Sequence, residues 1–108
     1  MALYMTQAAY TSEAWAAMVK NPADRPASVR AMAERFGCKL VAFYYCFGEY
    51  DAVLIIEAPD ETAAASSLIG AAAAGHLRSL KTTQLLTNEQ GMEAMRKAGT
   101  AALQVPGH

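Results

Sequence analysis

The residues of this chain best suited to chemistry are one histidine, a Gly48-Glu49-Tyr50-Asp51 turn, and several tyrosines with a single tryptophan. His76 follows an alanine-rich run and stands two residues before Arg78. Histidine is the side-chain type suited to move a proton at physiological pH, which makes His76 the one candidate general acid or base in the body of the chain. A histidine at a helix C-terminus is also favoured by the helix dipole alone. His108 lies in the C-terminal tail. At the turn, the Tyr50 hydroxyl and Asp51 carboxylate can act as hydrogen-bonding groups at a pocket mouth. In the alternative, Gly48 permits the turn, Asp51 accepts backbone amides and Tyr50 packs over the strand ends. Trp15, Tyr4, Tyr44 and Tyr45 supply aromatic surface with polar tips, the composition of a small-ligand pocket as well as of a core. The candidate ligand-binding residues are therefore Trp15, Tyr44, Tyr50, Asp51 and His76. Tyr44 and Tyr45 alternate along a strand, so only one of them can line a given cavity.

Other chemistries lack their residues. The sequence has no nucleophile-elbow serine, Walker-type loop or HExxH pair. Gly70 to Gly75 is not followed by Lys-Ser or Lys-Thr and reads as helix. Cys38 and Cys46 have no CxxC spacing, so neither a metal nor a cofactor is expected. In one extended segment they stand roughly 26 Å apart, against the ~7 Å between Cα atoms that a disulfide tolerates. They are read as free thiols.

The 108 residues carry a formal net charge of −1 and are 54% hydrophobic. That length gives one domain, with Gly99–His108 expected as a flexible tail beyond a domain of residues 1–98. Balanced charge removes the basic excess that phosphate-directed nucleic-acid binding needs. Alanine contributes 24 of the hydrophobic residues, so the larger ones suffice for an ordinary core. No run approaches the roughly 20 apolar residues of a membrane helix, and the N-terminus has no signal-like segment. A cytoplasmic protein with no nucleic-acid or membrane partner is the expectation.

The elements that position these residues follow from local signals. Leu3–Ala9 reads as a strand and Thr11-Ser12-Glu13 as a helix start, with Trp15, Met18 and Val19 as one apolar stripe. Asn21-Pro22 breaks that helix, and another begins near Asp24-Arg25-Pro26 with Val29, Met32, Ala33 and Phe36 inward. Gly37 ends it. Lys39–Phe47 and Asp51–Ala58 read as strands joined by a tight turn. Asp60 caps a helix running to about Ala74 that buries Leu68 and Ile69. Leu77–Leu86 is the last strand, and Thr87 to Gln90 is a capping box opening a short helix with Met92 and Met95 on one side. The fold class is thus α+β: a ferredoxin-like, four-stranded antiparallel sheet of order β-α-β-β-α-β plus a C-terminal helix.

Strict alternation puts Leu40, Ala42, Tyr44 and Cys46 on one face of the first hairpin strand and Val41, Phe43, Tyr45 and Phe47 on the other. The next strand divides into Ala52, Leu54 and Ile56 against Val53 and Ile55. Both faces are apolar, whereas an antiparallel sheet with helices on one side has a polar second face when that face is wet. The two-methionine helix is too small a cover. A second copy of the chain is the expected one, with Phe43, Tyr45, Phe47, Val53 and Ile55 at the interface.

Phe47-Gly48-Glu49-Tyr50-Asp51-Ala52-Val53, followed by Ile56-Glu57-Ala58-Pro59-Asp60, resembles the signature of the GYD domain family. The family consists of small, largely uncharacterised bacterial and archaeal proteins. The resemblance implies a ferredoxin-like domain of the kind that assembles into dimeric α+β barrels, and it assigns no settled role to Gly48, Tyr50 or Asp51. The functional expectation is a small homo-oligomer that binds a small, mostly apolar ligand. The alternative is a cofactor-free enzyme of the dimeric α+β barrel type, a monooxygenase or isomerase.

Overall fold

A computed structural model describes residues 1–101. The elements run β1 (Ala2–Tyr10), α1 (Ser12–Lys20), α2 (Arg25–Arg35), β2 (Lys39–Tyr45), β3 (Ala52–Ala58), α3 (Glu61–Ala73), β4 (Leu77–Leu85) and α4 (Asn88–Gly99). The strands form one sheet of order β2-β3-β1-β4 with every pairing antiparallel. This is the ferredoxin-like arrangement. Most of the expected tail lies outside the described residues.

Local chemistry sets the helix starts. The side chains of Thr11, Asp24, Asp60 and Thr87 each accept an amide of the first helical turn. Each satisfies one donor that the helix cannot pair internally. At α4 the box closes both ways, Gln90 N–H to Thr87 Oγ1 at 3.1 Å and Thr87 N–H to Gln90 Oε1 at 2.9 Å.

The core lies between α1–α3 and one face of the sheet. Tyr4, Leu40, Ile56 and Ala58 pack with Cys38 and with Ala33 of α2 and Ala64 of α3. Tyr10, Ala14 and Ala52 form a second cluster at the other end. Alanine at these contacts, Ala14, Ala33 and Ala64 on the helices and Ala52 and Ala58 on the sheet, lets the helices approach the sheet closely.

Three expectations about facing are corrected. The pairing of β2 with β3 shifts register between Leu40 and Ala42, so Leu40 pairs with Ile56 but Ala42 with Ile55. One extra residue, Val41, is inserted there, and a one-residue insertion exchanges the faces of all that follows. Phe43 and Tyr45, partnered by Leu54 and Ala52, therefore lie on the helix side, and Tyr44, partnered by Val53, lies on the other. Phe47 is past the end of β2 and fully exposed. In α3 the sheet-facing stripe is Ala64, Ser67 and Leu68, leaving Ile69 outside at 68% exposure. In α1 it is Ala14 and Met18 that face inward, and Val19 is exposed.

The second sheet face carries an apolar centre of Leu3 and Met5 of β1, Ala42 and Tyr44 of β2, Val53 and Ile55 of β3, and Leu85 of β4, bordered by the polar Gln7, Lys39, Glu57, Lys81 and Thr83. Helix α4 does not roof it. That helix is exposed along its length except at Gly91 and packs closely on no other element. Both cysteines are free thiols.

Candidate functional site

Asp51 ties three elements together. Six residues, Cys46–Asp51, connect the hairpin strands, and the Cys46 N–H bonds to the Asp51 carbonyl across the base of the loop at 2.8 Å. The Asp51 amide donates to the Ala8 carbonyl of β1 at 2.8 Å. Its carboxylate oxygen Oδ2 accepts the Tyr10 amide at 2.8 Å and the Trp15 indole N–H at 3.2 Å. One side chain thus pins the end of β1 and the first turns of α1 to the hairpin. Trp15 packs edge-on against Tyr10, with ring centroids 5.3 Å apart and planes at 80°. The Arg25 guanidinium lies 5.7 Å from the centroid of the Tyr10 ring. Phe43 and Tyr45 make a second edge-to-face pair nearby in the chain, also at 5.3 Å.

Of the five candidate ligand residues, Trp15 and Asp51 are brought together, and the others are not part of their hydrogen-bonded joint. Tyr50 contributes its carbonyl, which accepts the Cys46 thiol at 3.3 Å. His76 likewise contributes a carbonyl, which accepts the Thr11 amide at 3.0 Å, while the residue itself is exposed. Tyr44 is on the opposite face of the sheet. Sequence reasoning missed Tyr10 and Arg25. A signal for Tyr10 was present, because Tyr4, Thr6, Ala8 and Tyr10 continue one alternating face, yet the residue also sits where a helix start begins. Arg25 carries no such signal, standing beside Pro26 at a helix start.

Burial pushes the Tyr10 phenol up from its ordinary range, and the adjacent Arg25 guanidinium offsets part of that rise. The folded state therefore holds the phenolic proton more tightly than the unfolded chain does. The stability this confers is complete below about pH 10, the ordinary tyrosine value, and is lost as pH rises through the folded-state value. Urea midpoints measured from pH 8 to 11.5 should fall at the alkaline end, and Tyr10→Phe should flatten that fall.

Between α2, α3 and the sheet lies a cavity of about 100 Å³ walled by Val29, Met32, Leu54, Ile56, Leu68 and Leu80. Its polar border is Thr6, Ser67 and Arg25. Thr6 is itself paired, Oγ1 to Oγ1, with Thr82 at 3.0 Å. None of the five candidate residues borders this cavity. Outside it, a groove of about 370 Å³ runs along α1 and the start of α2, with Trp15, Met18, Arg25 and Tyr45 among its walls. Arg25 borders both spaces. Among the described residues no cluster of three or more His, Cys, Asp or Glu could hold a metal ion, and no helix is long and apolar enough to cross a membrane.

The GYD domain family profile matches residues 4–95 of the chain. The protein belongs to the GYD domain family. Among solved structures it is similar to an uncharacterised NIPSNAP domain protein from Burkholderia xenovorans, at 12% sequence identity and a TM-score of 0.46. The likeness covers 81% of this chain and 94% of that one. The search of curated proteins gave no match. In this GYD domain the motif residues have separate tasks. Asp51 is the joint described above, and Gly48 holds a φ of +119°. A Cβ added at Gly48 would meet nothing within 4 Å, so only the backbone conformation demands glycine there. Gly48→Ala should cost about 1–3 kcal/mol in a urea titration, with no steric component.

Proposed function

We propose that this GYD domain protein is a homo-oligomer that binds a small, mostly apolar ligand in the cavity between α2, α3 and the sheet. The observation that carries the binding reading is the cavity wall, aliphatic on all sides with a few polar groups at its border, the composition of a small-molecule site. Its volume is below the roughly 150 Å³ at which an apolar cavity takes up benzene, which limits the occupant to a few heavy atoms. Among the described residues Arg25 is the one titratable residue bordering it, and none of them places a carboxylate, imidazole or thiol there to move a proton, which favours binding over catalysis. The homo-oligomer reading rests on the uncovered apolar sheet face.

Native mass spectrometry of the purified protein tests both halves, reporting the subunit count and any small molecule carried along. Leu54→Trp, which pushes an indole into the cavity, should keep the fold and the subunit count and abolish the bound mass. A ligand retained by Leu54→Trp would place binding elsewhere.

A further inference from the structure

We infer that the ligand of this cavity is a short-chain carboxylate whose acid group is held by Arg25 and whose hydrocarbon part fills the aliphatic interior. The inference rests on the ligand-binding reading and names the chemical class it would take. Arg25 is half-buried and borders a space whose other walls are almost entirely aliphatic. A guanidinium there has lost part of its water and has five N–H donors to satisfy, in a planar fork that matches a carboxylate.

Among the described residues no carboxylate pairs with Arg25. Among the described residues the ion pair is Arg96 with Glu93, on α4. The acidic residues nearest to Arg25 in the chain and in the site are occupied elsewhere. The Asp24 side chain caps α2 by accepting the Ala27 amide at 3.2 Å, and Asp51 accepts the Tyr10 and Trp15 N–H groups. Tyr10 offers Arg25 the electrons of its ring and its phenol oxygen as a hydrogen-bond acceptor, but no negative charge. A bound acid would supply the missing anion and a two-point hydrogen bond. Because Arg25 also borders the outer groove, it stands where an acid arriving from water would first meet the cavity. The small volume, below the size that accommodates benzene, holds a hydrocarbon part of about two to four carbons with the acid group at the Arg25 border, which corresponds to acids of about three to five carbons.

The test is calorimetric titration of the full chain at pH 7 with propanoate, butanoate and 3-methylbutanoate, each beside its uncharged amide. The acids should bind at least about tenfold more tightly than the amides, the size expected of a charge-assisted hydrogen bond. Arg25→Gln should bring the acids down to the level of the amides, and Arg25→Lys, which keeps the charge but loses the fork, should fall between. Leu54→Trp should abolish both series. Equal binding of acids and amides by the unaltered protein would overturn the carboxylate inference and leave the ligand-binding reading standing. No binding of either series would overturn both. If Arg25→Gln fails to fold, the acid–amide comparison and Arg25→Lys still decide.

Discussion

Ile55→Asp is expected to convert the protein from an oligomer to a monomer in sedimentation velocity at micromolar concentration. Ile55 sits in the middle of the uncovered sheet face, paired with Met5 on one side and Ala42 on the other. Tyr44 is exposed and Leu3, Met5, Val53 and Ile55 are half-buried, so together they offer roughly 5–9 kcal/mol of further gross burial per chain, at ~1.5–3 kcal/mol for a side chain buried from full exposure. That is of the order of the ~4–15 kcal/mol that association costs. An unpartnered carboxylate at its centre costs about 3–5 kcal/mol, enough to weaken assembly by two to four orders of magnitude. The bulge in β2 supplies a control. Phe43 faces the helices and packs in both core clusters, so Phe43→Asp should unfold the chain instead of separating intact subunits. An unaltered protein that sediments as a monomer would refute the assembly. So would an Ile55→Asp variant of unchanged mass.

Asp51→Ala should produce the largest loss of stability among the residues of the Gly-Tyr-Asp element. The substitution removes the acceptor of the Tyr10 amide, and Tyr10 is only 4% exposed, so that N–H is left with neither protein nor water. Hydrogen bonds to charged groups contribute about 1.5–3 kcal/mol each, with the Trp15 bond at the low end because it is exposed. A total near 3 kcal/mol corresponds to a fall in melting temperature of roughly 12–24 °C for a domain of this size. Asp51→Asn retains an acceptor oxygen without the charge and should recover about half. Trp15 fluorescence gives a local readout, since the indole loses its partner in the alanine variant. A loss below about 0.5 kcal/mol would mean that the carboxylate is free for other work, which would favour its role at a pocket mouth.

The helix starts and stops, the hairpin and the order of strands were legible because their signals are local. Thr11, Asp24, Asp60 and Thr87 cap helices with amides three residues on, and Gly37 and Gly48 take backbone conformations other residues avoid. The facing of β2 was not legible. Val41, Ala42, Phe43, Tyr44 and Tyr45 are all apolar or aromatic, so an inserted residue leaves no break in the pattern. The orientation of α3 was hidden for a related reason: its alanines give the helix no strongly preferred side, and Ile69 turned out to be outside. The partner of Asp51 was half legible. That it accepts a backbone amide follows from its place at a turn, but the amide belongs to Tyr10, 41 residues away in the chain. The cavity border at Arg25 gave no local sign at all.

Short-range forces settle what kind of element each stretch becomes, because a cap, a proline or a β-branched run acts on backbone within a few residues of itself. Which neighbour a side chain finds across tens of residues depends on how the finished sheet and helices pack. For this protein the strand and helix order belongs to the first class. The joint at Asp51, the position of Arg25 beside the cavity and the exposed apolar sheet face belong to the second, since each exists only after distant segments have met.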